Sequence, residues 1–320
     1  MRRRGLRGPP HRRLRVLGFV LVAVVACLVA LLVFMSTSAS GPQVTKARHP
    51  RHAAVAAPVR SAYGIALAPR QVQVQLQLPL RSGLLFDVQT GRVLWQRAPQ
   101  AILPMASVTK MMTALVVVQH VRPTAQALIT PQVVHFSGSG VGLLPLHKKV
   151  SVETLLYGLL LPSGNDAATA LAQRVAGTEQ RFIAMMNAQA RSMGLRCTHF
   201  TTDSGIVDKG NYSCAPDLAL IAHSVLIQPN LARIVGSSKA VMPLPIKGGK
   251  LWLYNNNPLY TLGYPGADGV KGGYTTSAGQ CLVGTARRGR TWLGVVLLHS
   301  GNSGAQAQRL LNAGFAAGGR

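Results

Sequence analysis

The sequence predicts an α+β fold, and three observations predict it. Apolar runs of strand character come first, between about residues 83 and 96; amphipathic helical stretches fill the middle; strand character returns from residue 280. In that order, segments far apart in the chain share one sheet. Hydrophobic residues make up 48% of the 320 positions and charged residues 13%, which supports a sizeable core and excludes global disorder. Aromatics reach only 5%, so the core rests on Leu, Val, Ala and Met.

The N-terminus reads as an address. Residues 16–35, VLGFVLVAVVACLVALLVFM, carry no charge; at about 1.5 Å per residue they extend about 30 Å, the thickness of a bilayer core. Arginines crowd the segment before them, and no basic residue follows until Lys46. The positive-inside rule then makes residues 1–15 a cytoplasmic basic segment and places the rest outside. A cleaved signal peptide competes, because small residues follow at Ser36–Ser40, but the apolar run exceeds the usual signal core of about 7–15 residues. An uncleaved transmembrane helix is the expectation. Residues 36–75, rich in Ala, Pro, Arg and His, read as an extracytoplasmic linker, and residues 76–320 as the folded domain.

Within that domain, Val72–Leu80 alternates Gln with apolar residues, as a strand or extended approach does. Gly83–Val88 and Arg92–Gln96 flank a short glycine-containing turn, the pattern of a β-hairpin. Apolar residues at helical spacing predict helices over 107–119, 152–161, 165–175, 178–193, 217–226 and 306–315, with strands at 280–286 and 292–298.

The formal net charge of +26 raises the question of nucleic acid, and its distribution answers it. Twelve of the 34 basic residues, and none of the eight acids, lie in residues 1–70. Neither a zinc-finger spacing nor a basic stretch with interleaved aromatics occurs, so no nucleic-acid partner is expected. An exported basic domain would instead be drawn to anionic membrane or wall polymers. Cys27 lies in the apolar run, leaving Cys197, Cys214 and Cys281, with no metal-ligand spacing. They read either as small buried apolar side chains or, for the first two, as a disulfide.

Three short motifs carry chemistry. Ser107-Val-Thr-Lys110 opens a predicted helix, with both side chains on one face about a turn apart. Serine is a weak nucleophile without an adjacent base, and lysine is a base only when burial or neighbouring cations depress its pKa. An ordinary helix-start serine beside a surface lysine gives the same pattern. Ser163-Gly-Asn165 follows an apolar helix and precedes another; its hydroxyl and amide can enter one cleft, or simply cap the second helix. Lys271-Gly272-Gly273 precedes Tyr274 and a strand pattern, and reads by itself as a glycine turn with an exposed lysine.

In this order and at these gaps, the three motifs resemble S-x-x-K, S-x-N and K-T-G of the penicillin-recognising serine enzymes. Their surroundings are most similar to the D-alanyl-D-alanine carboxypeptidases, the low-molecular-mass penicillin-binding proteins. The resemblance runs over about 80–315 through LLFDVQTGRVLW, LPMASVTKMMTAL, LLLPSGNDAATALA, FIAMMNAQARSMGL, THFTTDSG, Asn255-Asn-Asn257, DGVKGGYT and AGQCLVGTARR. It implies a β-lactamase/transpeptidase-like fold: an antiparallel sheet flanked by helices, with a mainly helical subdomain. It further implies Ser107 as nucleophile and Lys110 as its base. Ser163 relays a proton, while Asn165 holds Lys110 and the substrate amide. Lys271 supplies positive potential, and the backbone N–H groups of Ser107 and Tyr274 form the oxyanion hole. The implied partners are a peptidoglycan stem peptide ending in D-Ala-D-Ala, β-lactams as covalent inhibitors, and the membrane through residues 16–35. No cofactor or metal is implied.

One departure stands out. Gly272 replaces the family's usual threonine, whose hydroxyl helps grip the substrate carboxylate; Gly273 follows as in the family. A lost charge-assisted hydrogen bond is worth about 1.5–3 kcal/mol, roughly ten- to a hundredfold. Thr275 or Thr276 are the available substitutes. An active but slower enzyme is expected. Two alternatives compete with it. A catalytically impaired wall-binding or antibiotic-sensing protein is one. A β-lactamase is the other, though its class A form needs a deacylating glutamate between the second and third motifs, and neither Glu153 nor Glu179 stands there suitably.

Overall fold

The computed structural model describes residues 64–67 and 72–318. The expected cytoplasmic segment 1–15 and span 16–35 lie outside the described residues, as does most of the linker 36–75. Among the described residues, no single helix is long and apolar enough to cross a membrane.

The chain enters through a two-residue strand, β1 (Ala66–Leu67), and the hairpin β2 (Leu80–Asp87) and β3 (Arg92–Arg97). Residues 72–79 approach outside any strand, tied to β3 by the Val72 amide on Leu94 O at 2.7 Å. The hairpin turn forms because Asp87 Oδ1 accepts from the Gln89 and Thr90 amides and Gly91 takes φ 74°. A helical region follows, with α1 (Lys110–His120), α2 (Val152–Leu160), α3 (Asn165–Ala176), α4 (Glu179–Ser192), α5 (Ala215–Leu226) and α6 (Pro229–Val235). Ser151 and Thr178 cap α2 and α4 through their hydroxyls. The chain then returns to the sheet through β4 (Ala267–Thr275), β5 (Gly279–Arg288) and β6 (Thr291–Ser300), and ends in α7 (Ser303–Gly318).

These strands form one six-stranded sheet in the order β1-β3-β2-β6-β5-β4, antiparallel except where β1 joins β3. The hairpin strand β2 and the last strand β6 therefore pair directly across the chain, with Val295 opposite Leu85. Alternation divides the sheet's apolar residues between two cores. Leu84, Phe86, Val283 and Val296 face the helices, packing with residues such as Met112 and Ala219; Leu85, Leu282, Leu293 and Val295 face α7 through Leu310 and Leu311. The expected α+β architecture is thus present, with ends within a few residues of those read from periodicity.

Three differences have physical causes. The helix expected from Ser107 begins as a 3₁₀ turn, Ala106–Thr109, and becomes α-helical only at Lys110. Helix α6 and the antiparallel pair Lys239–Pro243 with Lys250–Tyr254 went unread, because the helix is only seven residues long and the two strands do not alternate apolar with polar residues. Cys197 and Cys214 form a disulfide, which decides between the two readings left open; Cys281 keeps the buried-thiol reading.

Candidate active site

Ser107 sits in the 3₁₀ turn, where residues three apart eclipse one another, so its hydroxyl lies over the lysine one turn on. Lys110 Nζ is 3.1 Å from Ser107 Oγ. The same nitrogen donates to Asn165 Oδ1 at 2.7 Å and to the Ser204 carbonyl at 2.6 Å. The turn is shaped by Ala106, whose φ of 49° is unusual for a residue with a side chain. Thr109 Oγ1 holds it by donating to Ala106 O at 2.8 Å.

Ser204 reaches Lys110 from the long connection between α4 and α5. There Gly205 adopts φ +80°, and a β-carbon on it would lie 2.0 Å from Ala106 O, so only glycine permits the approach. Thr113 Oγ1 donates to Asp203 O, and Asn211 Nδ2 donates to Thr109 Oγ1 at 2.9 Å, sewing this connection to α1 and to the 3₁₀ turn before it. The Cys197–Cys214 disulfide closes its base, beside Asp217, whose Oδ2 accepts from the Cys197 amide and Thr198 Oγ1.

Ser163 and Asn165 come from the break between α2 and α3. Gly164, not Ser163, occupies the N-cap position, so the capping reading of Ser163 fails. At the helix start the Asn165 amide donates to Ser139 O and the Ala167 amide to Asp166 Oδ1, while the Asp166 carboxylate also accepts from the Val141 and Gly142 amides of a neighbouring loop. Ser163 holds φ 74°, and its Oγ is buried with no hydrogen-bond partner among the described residues. A strained residue with an unsatisfied hydroxyl is costly unless the site uses it. Asn165 Nδ2 donates to Ser137 O at 2.6 Å, which orients its Oδ1 towards Lys110.

Strand β4 closes the site. Lys271 is buried, not exposed as a plain glycine turn would leave it; its Nζ donates to Gly272 O at 2.9 Å and to Asn256 Oδ1 at 3.4 Å. Gly273 runs against the 3₁₀ turn: a β-carbon on it would lie 2.6 Å from Ser107 N. Gly272 points the other way and has space, its nearest would-be contact being Pro258 Cδ at 3.5 Å. Thr275 does not stand in for the missing hydroxyl. It lies on the Gly273 side of the alternation, and its Oγ1 is bonded to Asp208 Oδ1 and the Ala278 amide. Thr276 is exposed beyond the strand end.

These elements enclose a cleft of about 390 Å³. Ser107, Ser163, Gly272, Gly273 and Tyr274 line it, while Lys110, Asn165 and Lys271 are buried behind. Burial pushes Lys110 well below the usual lysine range, and the Lys271 charge adds to this against the opposing pull of Asp203 and Asp166. Burial likewise brings Lys271 down to about 7. The Asp203 carboxyl rises to about 7 through burial, with Glu179 adding and Lys110 opposing. Cys281 also reaches the cleft, but burial pushes its thiol up to about 12, so it stays protonated and unreactive. Sequence reasoning assigned no role to Ser204, Asn256, Ser139 or Ser137. The first and last act through backbone carbonyls, which no side-chain pattern reveals; the glycine after Asp203-Ser204 was the available signal.

Comparison with known proteins bears on this arrangement. Residues 69–302 match the family described as Peptidase_S11, D-alanyl-D-alanine carboxypeptidase. The chain is 33% identical over 223 residues to the D-alanyl-D-alanine carboxypeptidase DacB2 of Mycobacterium tuberculosis, covering 69% of this chain and 75% of that one. It is 32% identical over 214 residues to DacF of Bacillus subtilis, covering 65% of this chain but only 54% of DacF, about half its length. Among solved structures, that of the Streptomyces K15 DD-transpeptidase superposes with a TM-score of 0.71 at 32% identity, over 76% of this chain and 100% of that one.

Proposed function

The chain belongs to the D-alanyl-D-alanine carboxypeptidase family, and on that premise we propose that it is an exported serine carboxypeptidase trimming peptidoglycan stem peptides. The observation that carries the reading is the surroundings of Lys110 Nζ. A neutral amine has two N–H bonds and one lone pair. Asn165 Oδ1 and Ser204 O take the two N–H bonds, and the lone pair is left for the Ser107 hydroxyl. Burial and the Lys271 charge favour that neutral form.

In this mechanism Ser107 Oγ attacks the carbonyl of the terminal D-Ala-D-Ala bond while Lys110 takes its proton. The backbone N–H groups of Ser107 and Tyr274 receive the oxyanion across the close approach at Gly273. Lys110 returns that proton through the Ser163 hydroxyl, which has no other partner among the described residues, to the nitrogen of the departing D-alanine, so the lysine is neutral again. Water, deprotonated by the same lysine, then attacks the acyl-enzyme and frees Ser107. Lys271 holds positive potential behind the cleft, and Asn165 keeps Lys110 aimed. β-Lactams acylate the same serine.

A β-lactamase reading has little support. Glu153 is engaged by Arg233 at 2.7 Å, and Glu179 starts α4; neither lines the cleft. Transfer to an amine acceptor instead of water is a second reading, favoured by the likeness to the Streptomyces K15 DD-transpeptidase. Residues 16–35 supply the membrane anchor, with the domain outside. Release of free D-alanine from a peptide ending in D-Ala-D-Ala, lost in Ser107→Ala, tests the activity. Mass spectrometry of the mature N-terminus tests the anchor, which a chain starting near Gly41 would contradict.

A further inference from the structure

The antiparallel pair Lys239–Pro243 with Lys250–Tyr254 has two unlike faces. Inward, Leu251 and Leu253 are buried in the helical core, with Ala240 and Met242 packed against it. Outward stand Lys239 opposite Tyr254, Val241 opposite Trp252 and Pro243 opposite Lys250. Trp252 is 59% exposed, Tyr254 62% and Val241 44%, and Lys247 is exposed in the connecting turn. Among the described residues, neither ion pair involves Lys239, Lys247 or Lys250.

We propose that this outward face docks on an anionic lipid bilayer. Two aromatics whose rings are apolar and whose tips are polar suit the headgroup boundary, and Val241 and Pro243 extend the apolar strip between them and the lysines. The lysines bury their stems along that strip and offer their charges to anionic headgroups. A sugar polymer is the other ligand that exposed aromatics attract, but its hydroxyls are uncharged, whereas Lys239 and Lys250 on this face match an anionic surface. Tyr254 is followed by Asn255 and then by Asn256, which lines the catalytic cleft and accepts from Lys271. Docking through the pair therefore holds that rim of the cleft beside the headgroups. This surface is separate from the expected span at 16–35 and adds a second, reversible contact.

The chain has three tryptophans, and none lies within 16–35, so fluorescence isolates the contact even in the full-length protein. Trp95 is buried, and Trp292 is covered by Arg287 at 4.0 Å. The full chain is reconstituted in phosphatidylcholine vesicles with and without phosphatidylglycerol, and quenching by brominated phosphatidylcholine is measured. Quenching in the anionic vesicles is expected, and it should vanish in Trp252→Phe. It should fall to the same baseline in Lys239→Glu/Lys247→Glu/Lys250→Glu, with penicillin acylation of Ser107 retained as proof of folding. Equal quenching in neutral and anionic vesicles, or none in either, overturns the proposal. So does protection of Trp252 from aqueous iodide by soluble peptidoglycan strands without any lipid quenching, which would assign the face to sugar.

Discussion

A β-carbon on Gly273 would lie 2.6 Å from the backbone nitrogen of Ser107, so the sheet edge and the nucleophile turn meet at a distance only glycine allows. The cleft's proposed oxyanion hole spans that junction. Gly273→Ala should force β4 away from Ser107 and remove one aligned donor, slowing acylation by about a hundredfold or more. Stopped-flow acylation by a fluorescent penicillin measures this. An unchanged rate would mean that the Tyr274 N–H plays no such part.

The neighbouring glycine makes the opposite prediction. Gly272 has room for a side chain, with Pro258 Cδ 3.5 Å from a would-be β-carbon. Gly272→Thr should restore a hydroxyl facing the substrate carboxylate and raise kcat/KM for a D-Ala-D-Ala peptide roughly tenfold. No change, or a loss, would show that the carboxylate is held elsewhere.

The disulfide bears on stability and on the site together. Cys197 and Cys214 are 17 residues apart, and the loop they close contains Ser204, whose carbonyl holds Lys110. By loop-closure entropy, Cys197→Ser/Cys214→Ser should cost about 3 kcal/mol. Urea unfolding measures the loss, and acylation should slow because Lys110 loses a fixed partner. A fully stable variant would show that the hydrogen bonds of Thr113 and Asn211 suffice to hold the loop.

A pH dependence follows from Lys271, whose folded pKa falls from 10.5 to about 7 by burial. Between those two values the unfolded chain binds the extra proton, so this lysine's contribution to stability rises with pH. Lys271→Met removes the contribution. The variant should therefore exceed the parent in Tm most at about pH 6 and least towards about pH 10. A difference that stays constant across that range would mean that Lys271 is not buried in its charged form.

The main sheet was legible because its strands announce themselves in both halves of the chain: Gly83–Val88 and Trp292–Leu298 became neighbours through the Leu85–Val295 pairing. The motif residues were legible too, as types at fixed gaps, and the structure gathers all eight of them about one cleft. What the residues alone did not disclose was how Lys110 is held. One of its partners is a backbone carbonyl, at Ser204, brought across by a glycine whose need appears only once Ala106 O is seen beside it. The exposed face of Trp252 was hidden for a different reason: its strand reads Leu-Trp-Leu-Tyr after Lys250, with no polar alternation to declare which side faces the core.

The central claim is that Ser107 is the nucleophile that Lys110 activates. Intact-mass and peptide mass spectrometry after incubation with benzylpenicillin tests it most directly. One covalent adduct is predicted, on the peptide containing Ser107, absent in Ser107→Ala and formed far more slowly in Lys110→Ala. No adduct on the parent protein, or an adduct that persists in Ser107→Ala, would contradict the account.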